Sequence, residues 1–118
     1  MSRTVLIVDD HPSFRASARA LLEADGFDVV GEAPDGASAL VAVAELGPEV
    51  VLLDVQLPDM TGFAVCDALA SRNGSMPDVI LVSSRDGDDY GDLVAACPAR
   101  GFVPKDELSG ERVAALLA

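Results

Sequence analysis

Three short apolar runs in this chain each end in groups that can hold a cation or act on phosphorus. "VLIV" (5–8) runs into Asp9 and Asp10, "VVLL" (50–53) into Asp54, and "VILV" (79–82) into Ser83 and Ser84, while Lys105 follows "GFVP" (101–104). Adjacent carboxylates at the edge of an apolar run repel one another, and several gathered at one place cannot all stay ionised without a counter-charge. Oxygen donors of this kind suit a hard divalent cation such as Mg2+, which takes one or two protein carboxylates and keeps its other positions for water and phosphate oxygens. Asp9 and Asp10 are therefore read as metal-holding. That leaves Asp54 partly free to attack phosphorus as a carboxylate nucleophile, with an aspartyl phosphate as the product. Lys105, the only Lys beside seven Arg, would neutralise one phosphoryl oxygen as a compact point charge, and the Ser83 hydroxyl would donate to another.

Such a constellation needs distant segments to meet at one edge. Short β-branched runs over about 4–8, 28–31, 50–53, 78–82 and 101–103 read as strands. Between them Phe14, Ala18, Leu21 and Leu22 recur at helical spacing, as do Ala37, Leu40, Val41 and Ala44, and later Val113, Leu116 and Leu117. Pro12 suits a first helical turn, and Gly26, Gly47-Pro48, Asn73-Gly74 and Gly101 stand where a helix must end. The segment "DGDDYGDLVAACP" is the weakest helix, broken by Gly87 and Gly91 and stopped by Pro98. Five strands alternating with five helices predict right-handed βαβ units in a three-layer α/β fold. With strand order 2-1-3-4-5 the four ends that carry chemistry become neighbours, at the place where such sheets gather ligands. The second strand, ending in Gly31 and Glu32 without evident chemistry, falls on the far side of the switch in strand order.

Composition excludes several functions. Half of the 118 residues are hydrophobic, enough for a single core. Twenty acids against eight bases leave a net charge of −12, which repels nucleic acid and anionic membrane. The apolar runs are too short to span a membrane and no basic segment leads into one at the start, so a cytoplasmic protein is expected. Cys66 and Cys97 are read as buried small hydrophobes. His11 is read as an exposed loop residue, and Asp86, Asp88, Asp89 and Asp92 as a solvated acidic helix start.

Taken in order, "VLIVDDHPSFR", "VVLLDVQLPDMTGF", "ILVSS" and "GFVPK" resemble the receiver domains of bacterial two-component response regulators over essentially the whole chain. "VDDHP" and "VGEA" are similar to the NarL/FixJ-type branch. The resemblance implies a flavodoxin-like (βα)5 fold and an Asp54 that accepts a phosphoryl group from a histidine kinase or phosphotransfer protein. It further implies that Asp9 and Asp10 are the acidic Mg2+ pair, completed by the backbone carbonyl of Gln56. Ser83 matches the switch hydroxyl, Phe102 the switch aromatic and Lys105 the family's amine, while Pro58 and Gly62 match the loop after the phosphoacceptor. Gln56 and Arg85, two residues beyond the phosphoacceptor and the switch hydroxyl, take the flanking positions that modulate the lifetime of the phosphoryl group. Ser84, Thr61 and Pro98 depart from the family pattern, and bear on the output face.

Rival chemistries fit less well. A haloacid-dehalogenase-type phosphatase needs a second Asp two residues after its nucleophile, where Gln56 stands here. A nucleotide-binding enzyme needs a Gly-rich loop after the first strand, and "DDHPSF" contains none. A receiver-like module that binds its partner without phosphorylation is the remaining alternative. Residues 1–118 are thus expected to form one receiver domain, a switch that catalyses only its own phosphorylation and dephosphorylation, with a homodimer on phosphorylation. Whether it stands alone or belongs to a longer regulator with a DNA-binding output is left open.

Overall fold

β1 (Thr4–Val8), β2 (Asp28–Ala33), β3 (Val50–Asp54), β4 (Asp78–Ser83) and β5 (Gly101–Pro104) pair in parallel in the order β2-β1-β3-β4-β5. They belong to a computed structural model that describes residues 3–72, 76–84 and 98–118. Helices α1 (Pro12–Ala24), α2 (Gly36–Leu46) and α3 (Gly62–Ser71) connect the earlier strands, and a 3-10 turn (Lys105–Glu107) leads from β5 into α4 (Gly110–Leu117). The expected strand order is the one found. The expected helix in "DGDDYGDLVAACP", with Cys97 and the four acids at its start, and the Asn73-Gly74 stop lie outside the described residues.

The strands are apolar on both faces because both faces are covered. Leu6, Val8, Val51, Leu53, Val79 and Leu81 point to the side of α2 and α3, whereas Val5, Ile7, Val50, Leu52, Ile80 and Val82 point to the side of α1 and α4. All of these are essentially inaccessible to solvent, each contributing about 1.5–3 kcal/mol of hydrophobic stabilisation. β3 and β4 run one residue beyond their expected ends. Asp54 and Ser83 are therefore the last residues of ladder-bonded strands, in register with Val82 and Pro104 respectively.

Local chemistry sets the helix starts. α1 has Pro12 in its first turn, where a missing N–H costs nothing. α2 is capped by Asp35, whose Oδ1 accepts from Ser38 N at 2.8 Å, and α3 by Thr61, whose hydroxyl accepts from Ala64 N at 3.2 Å. Ser109 caps α4, accepting from Arg112 N at 3.0 Å.

The stripe read along α2 is corrected by the structure. Ala39 and Val43 face the core with Gly36, while Ala37 and Ala44 are exposed, Leu40 is only partly covered, and Val41 is 56% exposed. α2 is apolar nearly all round, so periodicity alone has little contrast there. Its phase follows instead from the Asp35 cap and from Gly36, where a Cβ would collide with the Met60 side chain.

Candidate functional site

Asp9 leaves β1 with its backbone N–H on the Ala33 carbonyl at 3.0 Å, and its side chain is wholly buried. Oδ1 accepts from His11 N at 2.8 Å. Among the described residues Oδ2 accepts no hydrogen bond of regular geometry, and its charge is met by Lys105, whose Nζ lies 2.6 Å away. Asp54, at the end of the neighbouring strand and 3% exposed, has one oxygen on Gln56 N at 3.2 Å and the other 3.3 Å from the same Nζ. Lys105 reaches them from the first residue of the 3-10 turn, with its ammonium 4.5 Å from the centre of the Phe14 ring. Two buried carboxylates share one ammonium.

That imbalance sets the electrostatics. Burial pushes the Asp54 carboxyl above its ordinary pKa, the negative charge of Asp9 pushes it the same way, and Lys105 only partly opposes them. Burial on its own would pull the Lys105 ammonium down, but its contacts with Asp9 and Asp54 outweigh burial and hold it above the usual lysine value. Lys105 is therefore firmly cationic. Asp10 completes the cluster from the solvent side, with its side chain 36% exposed. His11 bridges the pair, its Nδ1 3.0 Å from Asp9 Oδ1 and 3.1 Å from Asp10 Oδ1. One donor atom from each of Asp9, Asp10, His11 and Asp54 lies within 4.8 Å of the others. This oxygen-rich, net-negative set fits a hard divalent cation, and a cavity of about 200 Å3 gives access to it between Asp10, Asp54, Gln56, Pro58, Ser84 and Lys105.

The loop from β3 to α3 is held tightly against Asp54. Gln56 bridges to Thr61, Leu57 N donates to the Met60 carbonyl at 3.2 Å, and Gly62 N donates to the Val55 carbonyl at 2.7 Å. Gly62 sits so close to the strand end that a Cβ there would collide with the Asp54 carbonyl oxygen and come within 3.0 Å of Val55 Cα. Asp59 fastens the tip of the loop to the start of α2, accepting from Gly36 N at 2.8 Å and Ala37 N at 3.0 Å. Those two amides hold its carboxyl below the usual aspartate range.

Comparison with known proteins decides the family. A model of the response regulator receiver domain matches residues 5–117. The chain belongs to the response regulator receiver domain family. This receiver is 35% identical over 113 residues to the DNA-binding transcriptional activator EvgA of Escherichia coli K12, covering 96% of this chain and 55% of EvgA. It is 39% identical over 103 residues to the nitrate/nitrite response regulator protein NarP of the same organism, covering 86% of this chain and 47% of NarP. Among solved structures it superposes on the signal receiver domain of NarL from Mycobacterium tuberculosis with a TM-score of 0.85 at 38% identity, over 98% of this chain and 94% of that one. These similarities place the receiver in the NarL branch. The chain spans about half the length of the curated relatives it matches. Phosphorylation-dependent switching in two-component systems is the general function of the family, whose members typically bind Mg2+ and act with sensor kinases. No helix among the described residues is long and apolar enough to cross a membrane.

The receiver fold places Asp9, Asp10, Asp54 and Lys105 at one edge of the sheet, and Gln56, named through the resemblance, lines the same cavity. Ser83 is 2% exposed at the end of β4, and Ser84 rather than Ser83 lines the cavity. Phe102 is partly covered, against the core on the α2 and α3 side. Cys66 is buried as read. His11 is exposed, as expected, yet its ring nitrogen reaches both acids. Arg85 lies outside the described residues. Sequence reasoning missed Arg15 and Glu32. Arg15 Nη1 donates to the Asp9 carbonyl at 2.6 Å and its Nε to Glu32 Oε1 at 3.0 Å, so the end of β2 is joined to the site after all. The available signal was Arg15, a cation on α1 with no acid three or four residues from it, whereas Arg19 has Glu23 at i,i+4.

Proposed function

We propose that Asp54 is the phosphoacceptor of this receiver and that Asp9, Asp10, Asp54 and the Gln56 backbone carbonyl hold Mg2+. The observation that carries the reading is the shared ammonium: Lys105 compensates two buried carboxylates, one of which opens onto a cavity walled by oxygen donors. Mg2+ supplies charge neutralisation for phosphoryl oxygens when bound. Transfer forms a bond between an Asp54 carboxylate oxygen and phosphorus as the P–N bond of the donor phosphohistidine breaks, and the departing imidazole takes up a proton. Gln56 N–H and Lys105 each steady one Asp54 oxygen, which presents the carboxylate in a fixed orientation to an incoming phosphorus.

Once Asp54 carries a phosphoryl group, Lys105 pairs with one phosphoryl oxygen and the Ser83 hydroxyl moves toward another. Phe102 then repacks on β5, and the two packings form the switch. Gln56 and Arg85 flank the bond that water must attack and set how long it survives. Residues 1–118 act as one receiver unit in the cytoplasm, catalysing only their own phosphorylation and dephosphorylation and forming a homodimer when phosphorylated. The donor is a sensor histidine kinase or phosphotransfer protein. With twenty acids against eight bases, this unit makes no nucleic-acid contact of its own, and any DNA binding belongs to an output region.

Acetyl phosphate with Mg2+, followed by intact-mass measurement and peptide mapping, tests the proposal. One added phosphoryl group on Asp54, absent from Asp54→Asn, is the expected result. Label that persists in Asp54→Asn, or that maps to His11 or Asp59, overturns it.

A further inference from the structure

We infer that Glu32 keeps the Arg15 guanidinium on the Asp9 carbonyl and off the Asp10 carboxylate, and that this Glu32–Arg15 pair sets how tightly the receiver binds Mg2+. The inference rests on the metal reading above and adds two positioning residues that lie outside the metal ligands.

Arg15 is one turn into α1 and its side chain is only 18% exposed. Its fork is divided between two acceptors, Nη1 on the Asp9 carbonyl at 2.6 Å and Nε on Glu32 Oε1 at 3.0 Å. Glu32 is fixed in turn by its second oxygen, which accepts from Arg19 Nε at 2.8 Å, while Arg19 Nη1 donates to the Val29 carbonyl at 3.3 Å. Hydrogen bonds from Arg19 and then Arg15 outweigh partial burial and hold the Glu32 carboxyl below its ordinary pKa, so it is ionised at neutral pH. The anchor at the end of β2 is thus itself held on both oxygens.

The Asp9 carbonyl belongs to the peptide that joins Asp9 to Asp10. Pinning it fixes the plane from which the Asp10 side chain departs, and Asp10 is the acid of the cluster that faces solvent. The same guanidinium is also a hazard. Among the described residues, Asp9, Asp10 and Asp54 set three carboxylates against the single ammonium of Lys105. Without Glu32, an Arg side chain tethered beside this excess of negative charge would pair with Asp10 in preference to a neutral carbonyl, because a charge-assisted fork on a carboxylate is the stronger contact. It would then compete with the cation for that carboxylate. Glu32 offers a carboxylate outside the site and removes the competition.

Isothermal titration with Mg2+ alone, alongside the melting temperature of each variant without Mg2+, tests the inference. Glu32→Gln is expected to weaken Mg2+ binding by about tenfold, the usual scale for groups that orient metal ligands. Arg15→Lys should weaken it as well, since one ammonium cannot span the Asp9 carbonyl and Glu32 as the fork does. The distinguishing result is the double variant: Arg15→Met in the Glu32→Gln background should bind Mg2+ more tightly than Glu32→Gln alone, a rescue that simple loss of an ion pair does not produce. Wild-type affinity in Glu32→Gln, or a double variant weaker than the single, overturns the inference. Asp10→Asn with undiminished Mg2+ affinity would instead overturn the metal reading beneath it.

Discussion

Lys105 places its ammonium 2.6 Å from Oδ2 of Asp9, a carboxylate with no solvent exposure, and the same nitrogen stands 3.3 Å from Asp54. A residue from the turn after the edge strand β5 therefore neutralises the strand at the centre of the sheet. Replacing it removes the one cation that, among the described residues, is common to both acids, and removing one side of a buried pair costs about 3 kcal/mol or more. Lys105→Met is accordingly expected to lower stability by about 3 kcal/mol in denaturant unfolding without divalent cation. Mg2+ should restore more stability to this variant than to wild type, because it supplies the missing positive charge. An equal Mg2+ effect on both proteins would argue against a shared role at the acidic cluster.

Asp54 carries a stability cost that depends on pH. Its folded pKa is raised, first by burial and then by Asp9, so the folded state holds its proton more firmly than the unfolded chain does. The ionised form therefore costs stability, fully above the folded pKa, and the cost fades as pH falls through that value toward the ordinary aspartate pKa of the unfolded chain. Asp54→Asn should melt higher than wild type at pH 7 in chelator, with the difference closing as the solution is acidified. Thermal melts from neutral to acid pH measure it, and a wild type that is the more stable at neutral pH contradicts the sign.

Asp59, five residues on, has the opposite sign. The Gly36 and Ala37 amides lower its pKa, so its contribution is present above the unfolded value and is lost as pH falls through the folded one. Asp59→Ala should therefore be less stable than wild type at neutral pH and should converge with it in acid. The same melts, run on this variant, check the prediction, and the two aspartates serve as each other's control.

Gly62 has no room for a side chain beside the Asp54 carbonyl. Gly62→Ala should destabilise the domain by about 1–3 kcal/mol, the usual cost of forcing a methyl group into a close-packed site. It should also slow labelling by acetyl phosphate more than Ala39→Gly does, since Ala39 is buried on α2 away from the Asp54 loop. Stability comes from unfolding curves and labelling from intact mass. Equal labelling rates in the two variants would show that the loop does not position Asp54.

Strand pattern and strand-end chemistry were legible because each depends on neighbours in sequence. A β-branched run that stops at an acid reads the same wherever it is placed, and a parallel sheet leaves few ways to arrange five such runs. Asp9, Asp10, Asp54 and Lys105 were found that way. The face of α2 was not legible, because a helix of Ala, Val and Leu looks apolar from every side and only contact with Met60 and the Asp35 cap turns it. Nor was the role of Glu32. Its partners Arg15 and Arg19 are 17 and 13 residues away, and no local pattern tells which of a chain's acids a guanidinium will meet. The sequence by itself determined which chemical groups end the strands. Only the tertiary structure decided how charge is shared among them, because one ammonium for two buried carboxylates, and one carboxylate for two guanidiniums, are facts of distance between segments that fold side by side.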